Sequence, residues 1–285
     1  MKKLKILFCD PRHSTIGAHS NYVPIGIGYI ASYIKEEVKG IEKEIDLSID
    51  PFETLDLLKN WKPDIVACSN YIWNAGISNW ICEEAKKLNP NTLCILGGPE
   101  FPAGTGQRHI LNTPQNQTYD KCFDYLLKRP SVDYFAWSDG EVVVLEIINK
   151  YIEKNFSINQ LKKNDEAING CASISSDKKK LLVGKYLSRI GMEGSVKSAG
   201  RDIILSPYTT GLLDKFLDGR STPAFETARG CPFMCTFCDQ GLDASKITTF
   251  SSKRLMEEFW YVGEKMSKNK KGSQNAAIFD ANWGI

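Results

Sequence analysis

A doubly wound parallel α/β sheet, followed by the opening of a second β/α domain, is the fold this sequence predicts. Three observations carry it. Short β-branched runs alternate with helical patterns from Leu4 to about Glu153, the alternation that gives a parallel sheet covered on both faces. Ile27, Ile30, Ile34 and Val38, and then Ile77, Ile81, Ala85 and Leu88, recur at helical spacing between the runs. The segments that end the runs are rich in Gly, Ser, Asn and Asp, and in doubly wound folds the ligand lies beyond the carboxyl ends of the strands.

In chain order, strands are expected at residues 4–10, 44–50, 64–70, 92–98 and 132–138, and five such strands imply a flavodoxin-like domain over residues 1–154. Asp10 to Pro24 makes a loop longer than a βα connection needs, which marks it as functional. Ser69-Asn70-Tyr71, Gly97-Gly98-Pro99-Glu100 and Asp139-Gly140-Glu141 end three further strands. Residues 155–218 read as a polar connector, with residues 171–175 and 181–185 forming a small hairpin around Ser176-Asp177-Lys178-Lys179-Lys180. From residue 219 to 285 a new unit begins, with a first strand at 224–228, a helix at 252–265 and a second strand at 276–280.

The chain has 285 residues and is 42% hydrophobic, enough for one large domain or two ordinary ones. A formal charge of +2 gives no electrostatic case for nucleic acid, and the Lys178–Lys180 and Lys268–Lys271 runs read as solvated turns. The basic start Met1-Lys2-Lys3 leads into an apolar stretch that ends at Asp10, short for a signal peptide. The uncharged stretch of residues 65–82 carries Asn70, Asn74 and Asn79 and makes a poor membrane span. Nine cysteines without a secretory segment fit a reducing cytoplasm, where thiols serve metals more often than disulfides. Oxygen sensitivity should follow.

Three of those cysteines, Cys231, Cys235 and Cys238, stand at C-x-x-x-C-x-x-C spacing after Gly230, and no Cys or His follows them. Structural zinc is almost always four-coordinate through protein ligands, whereas an iron–sulfur cubane held at three irons leaves the fourth open. The alternatives are zinc completed by a remote ligand such as Cys171 or His109, and a chance grouping of buried thiols. The run resembles the signature of the radical S-adenosylmethionine superfamily, with Phe237 at the family's usual aromatic position. That resemblance implies a [4Fe-4S] cluster on the three cysteines, S-adenosyl-L-methionine chelated at the open iron, and an electron donor such as flavodoxin or ferredoxin.

The first domain resembles the cobalamin-binding domain that precedes many enzymes of that superfamily. The matching residues are Tyr22-x-Pro24-x-Gly26, Ser69, Leu96-Gly97-Gly98-Pro99-Glu100 and Gly140-Glu141. The glycines would let backbone approach a bulky nucleotide tail, and Ser69 would offer a small hydroxyl beside it. Histidine-ligating cobalamin proteins use D-x-H-x-x-G, but this loop reads Asp10-Pro11-Arg12-His13-Ser14-Thr15-Ile16-Gly17. With His and Gly both displaced, cobalt is expected without a histidine ligand. Leu205-Ser206-Pro207-Tyr208 resembles the Pro-Tyr segment that enters the catalytic domain, and Asp280 and Asn282 resemble strand-end contacts to S-adenosylmethionine or substrate; an ordinary turn is the other reading of that pair.

The resemblance implies methyl transfer to an unactivated carbon or phosphorus centre of a small-molecule or peptide substrate. Radical cyclisation or rearrangement is the second enzymatic reading, and a non-catalytic cobalamin-binding remnant the third. A partial TIM-like (β/α)6 barrel needs more chain than residues 219–285 supply. The expectation is therefore a fragment, a truncated product or half of a split enzyme, inactive alone, whose first domain folds by itself.

Overall fold

The computed structural model describes residues 3–13, 21–102, 117–191, 200–231, 233, 247–268 and 275–280. The chain forms two compact units, one of Met1–His13 with Glu37–Leu187 and the other of Ser14–Glu36 with Ser188–Ile285.

The first unit is built on a seven-stranded sheet. Its strands are β1 (Leu4–Cys9), β2 (Lys43–Ser48), β3 (Ile65–Ser69), β4 (Leu93–Gly97), β5 (Tyr134–Ala136), β6 (Cys171–Ile174) and β7 (Leu181–Val183), in the order β2-β1-β3-β4-β5-β6-β7. The first five are parallel and follow the 2-1-3-4-5 order of the flavodoxin-like fold, as the sequence predicts. The connector hairpin does more than link domains: β6 pairs antiparallel with β5 and β7 with β6, so the sheet is mixed. Its helices are α2 (Pro51–Asn60), α3 (Ala75–Leu88), α4 (Gln117–Leu127), α5 (Gly140–Glu153) and α6 (Ile158–Lys162); α1 (Ile25–Glu37) groups almost entirely with the second unit.

Local chemistry sets these boundaries. Asp50 starts α2 by accepting the N–H groups of Phe52 at 2.7 Å and Glu53 at 3.1 Å, ahead of Pro51, whose missing N–H costs nothing there. Leu7, Cys9, Val66, Cys68, Cys94, Leu96 and Phe135 turn one sheet face into an apolar layer with Ile81, Cys82 and Ala85 of α3 and Cys122 and Leu126 of α4. Ile6 and Phe8, which alternate with Leu7 and Cys9, are equally buried, so β1 is covered on both faces.

Asp133, just before β5, is a buried carboxylate that accepts Lys86 and Lys162, each at 2.7 Å, and the backbone N–H of Cys94 at 2.8 Å. Removing it strands two part-buried ammonium groups and a buried N–H. Asp133→Ala is expected to cost about 3 kcal/mol of stability, read as a lower urea midpoint at unchanged slope.

In the second unit β8 (Ala224–Phe225) pairs in parallel with β11 (Ala277–Ile278), the first and second strands anticipated for a β/α barrel. The strand predicted at 224–228 breaks in the middle. Its later part, β9 (Ala228–Arg229), pairs antiparallel with β10 (Thr248–Thr249). Helix α7 (Ser252–Ser267) starts where Ser251 accepts the N–H of Arg254 at 3.3 Å. The Pro-Tyr segment anchors β8, because the fully buried Tyr208 hydroxyl donates to the Ala224 carbonyl at 2.6 Å and accepts its N–H at 3.2 Å.

The buried side of α1 also belongs here. Ser32 donates to the Leu205 carbonyl at 2.7 Å, the Tyr29 ring lies 5.2 Å from that of Phe250, and a β-bridge joins Tyr22 to Thr222. Gly28 sits where a Cβ would come within 3.1 Å of Leu213 and 3.2 Å of Pro207. Among the described residues no helix is long and apolar enough to cross a membrane.

Candidate cofactor site

Ser69 closes β3 directly opposite Gly97, which closes β4, and Gly140 and Glu141 open α5 beyond β5. The first unit thus brings these sequence-predicted residues to the carboxyl edge of three neighbouring strands, where doubly wound folds place their ligands.

Ser69 is held from several sides. Its hydroxyl donates to Asp10 Oδ1 at 2.6 Å and accepts from Asn74 Nδ2 at 2.9 Å, while its carbonyl accepts the Ser78 hydroxyl at 2.7 Å. Asp10 is in turn paired with Arg12 at 2.6 Å. The loops after β1 and β3 are therefore tied together by one carboxylate. The hydroxyl has spent its only proton on Asp10, so toward a ligand it can offer a lone pair and nothing more. Sequence reasoning passed over Asp10 as a site residue, although a carboxylate ending an apolar strand was the available signal.

The two glycines have reasons internal to the chain. A Cβ on Gly97 would lie 3.2 Å from the Cβ of Ala136 on β5. At Gly98, φ is +143° and a Cβ would fall 2.5 Å from the Asn70 carbonyl oxygen. Asn70 locks this crossing: its N–H donates to the Gly97 carbonyl at 2.8 Å, its carbonyl accepts the N–H of Glu100 at 3.0 Å, and its side-chain amide donates to the Glu100 carbonyl at 2.7 Å. Gly98 and Pro99 are exposed. The edge therefore presents bare backbone, a surface suited to a large planar or nucleotide ligand. Asn70 was another residue the sequence analysis left unassigned.

His13 lies with Nε2 2.6 Å from the Trp73 carbonyl oxygen. A carbonyl only accepts, so this nitrogen carries the proton and is spent on Trp73. Trp73 is exposed and stacks on Tyr71, ring centroids 4.6 Å apart and planes 8° apart. A cavity of ≈ 370 Å³ lined by residues including Leu58, Lys62, Pro63 and Thr92 opens at the opposite ends of β3 and β4, away from these residues.

In the second unit Cys231 follows β9 and is half-buried. Cys235, Cys238, Phe237 and Asn282 lie outside the described residues, and among those described no group of three or more His, Cys, Asp or Glu is placed to hold a metal. The donor set itself, three thiols within eight residues of chain, suits an iron–sulfur cluster with one open iron. Asp280 is engaged by the chain. Its Oδ1 accepts the N–H groups of Thr227 at 2.6 Å and Ala228 at 3.0 Å, and its Oδ2 accepts the Thr227 hydroxyl. That carboxylate takes over N–H groups a continuous strand would use, which is why the predicted strand at 224–228 breaks.

Between the two pieces of that strand lies Glu226, which accepts Arg201 at 2.8 Å and both arms of Arg229 at 2.9 and 3.0 Å. Burial pushes its carboxyl up, but Arg229 and Arg201 outweigh that and hold it down at about 2. Burial raises Tyr29 and Tyr208 well above the usual phenol range, so both stay neutral.

Residues 15–111 match the family model described as the B12 binding domain. The chain is 26% identical over 237 residues to the cobalamin-dependent radical SAM methyltransferase TokK of Streptomyces tokunonensis, covering 79% of this chain and 28% of that protein. It is 24% identical over 249 residues to the anaerobic magnesium-protoporphyrin IX monomethyl ester cyclase of Rubrivivax gelatinosus, covering 83% of this chain and 39% of the relative. A solved structure of the cobalamin-dependent S-adenosylmethionine radical enzyme OxsB, with aqua-cobalamin and S-adenosylmethionine bound, superposes with a TM-score of 0.62 at 16% identity, over 98% of this chain and 34% of that one. The fold is shared, and this chain spans well under half the length of each of these proteins. The resemblance read in the sequence, to radical S-adenosylmethionine enzymes with a cobalamin-binding domain, is borne out by these relatives.

Proposed function

We propose that this chain serves a cobalamin-dependent radical S-adenosylmethionine methyltransferase acting on an unactivated carbon or phosphorus centre. The observation that carries the reading is a conjunction on one chain: a B12-type sheet edge with bare backbone at Gly98, and a three-thiol loop at Cys231, Cys235 and Cys238. The bound cofactors would supply radical and methyl-transfer chemistry that protein side chains lack. The chain's own residues bind and orient. Ser69, Gly97, Gly98, Gly140 and Glu141 would shape the cobalamin edge, and the three cysteines would hold the cluster. Asp280 would keep the turn at Thr227 and Ala228 in place next to them. A small-molecule or peptide substrate, a flavodoxin or ferredoxin as electron donor, and a cytoplasmic setting complete the proposal.

The relative named as a cyclase favours radical cyclisation as the second reading. Incubating the full-length protein anaerobically with methyl-deuterated S-adenosylmethionine, hydroxocobalamin and reductant separates them. Deuterium retained in a product of higher mass is the expected result, and a product that gains no methyl group moves the assignment to cyclisation or rearrangement.

A further inference from the structure

Glu226 holds two guanidinium groups, those of Arg201 and Arg229, a few residues ahead of Cys231 in the chain. We propose that it is a positioning residue that sets the charge beside Cys231, and through it the reduction potential of an iron–sulfur group held there. The inference rests on the proposed cluster-binding function.

The geometry leaves this pair of cations little freedom. Arg201 is 2% exposed, and its guanidinium lies 4.3 Å from the Phe250 ring centre while bonding Glu226. A second guanidinium, Arg254, lies 4.0 Å from the same ring and is fixed by the fully buried Glu258 at 3.1 Å and by the Ile204 carbonyl. Arg201 is thus packed against an aromatic ring whose other cation has its own carboxylate. Arg229, held at two points by Glu226, is separated from Cys231 by Gly230 alone, so the Cα atoms of the two residues lie at most about 7 Å apart.

The charges then decide the sign. Arg201 and Arg229 each bring a positive charge and Glu226 a negative one, with the Asp280 carboxylate on Thr227 and Ala228 beside them, so neutralising Glu226 makes the surroundings of Cys231 more positive and neutralising Arg201 makes them more negative. Taking up one electron makes a cluster more negative, so added positive charge nearby favours the reduced form and removed positive charge disfavours it. Partial burial keeps salt from screening the effect away. A group that merely glued β9 in place would give both variants below the same sign of change, or none.

The test is an anaerobic redox titration of the full-length protein, followed by electron paramagnetic resonance of the reduced cluster. Glu226→Gln, nearly isosteric, is expected to raise the reduced-to-oxidised ratio at a given potential about tenfold, which is about 59 mV for one electron. Arg201→Gln is expected to shift it the opposite way, and the double variant to return close to the parent. Shifts of the same sign, or no shift with the cluster retained, overturn the inference while leaving the cluster assignment standing. A parent protein that holds zinc or no iron overturns both. Should Glu226→Gln fail to retain iron, the sign of the Arg201→Gln shift decides.

Discussion

Alanine at Cys231, Cys235 and Cys238 together is expected to abolish iron binding by the anaerobically reconstituted full-length protein, from about four irons to none. The size of the effect follows from the donor set. Thiolates bind iron far better than hydroxyls and amides do, and the triple substitution removes every thiolate of the C-x-x-x-C-x-x-C run. Iron and sulfide analysis reads the loss directly. A perturbation of the reduced-cluster spectrum by S-adenosylmethionine in the parent protein should vanish with it. Unchanged iron in the triple variant, or stoichiometric zinc in the parent, would refute the assignment, the latter in favour of a remote fourth ligand.

Valine at Gly98 is the second large effect. The backbone there has φ +143°, and the added Cβ would press to 2.5 Å from the Asn70 carbonyl, so either the β4 loop or the β3 loop must move. Backbone strain and overpacking together are worth about 3 kcal/mol. The clasp between Asn70, Gly97 and Glu100 fixes the exposed backbone of the proposed cobalamin edge. Titration of the folded chain with hydroxocobalamin should therefore show affinity falling at least tenfold, alongside a lowered urea midpoint. His13→Ala is the control. Its Nε2 is already committed to the Trp73 carbonyl, so binding and the cobalt absorption spectrum should change little. Binding that survived Gly98→Val and disappeared in His13→Ala would overturn the proposed edge and restore histidine ligation.

The five parallel strands were legible because each is a compact run bounded by turn residues, and because helical spacing between them leaves few topologies open. The hairpin at Cys171–Ile174 and Leu181–Val183 was legible as a hairpin but not as part of the sheet. Its pairing of Ala172 with Phe135 is long-range, and nothing local at either residue announces the other. Ser69, Gly97 and Gly98 could be named from position at strand ends, yet the Asp10 and Asn70 bonds that immobilise them depend on which loops meet in space. Asp280 shows the same limit. Its place at a strand end was readable, while its grip on Thr227 and Ala228 depends on β8 and β11 lying side by side. The part-buried trio of Arg201, Glu226 and Arg229 left no pattern at all, since its members are spread over 29 positions of chain.

Helix α1 carries a consequence for how such a chain can be recombined. The B12-type match begins at residue 15 and runs through α1, but the described partners of Ser32, Tyr29 and Gly28 lie at Leu205, Phe250, Pro207 and Leu213. A gene fusion or proteolytic cut near residue 154 keeps the parallel strands and discards those partners. It leaves Tyr29, buried in the intact chain against Phe250, without that cover. A cut there therefore parts α1 from the residues it is bonded to and packed on in the intact chain, and the amino-terminal piece is expected to expose apolar surface that the intact chain covers.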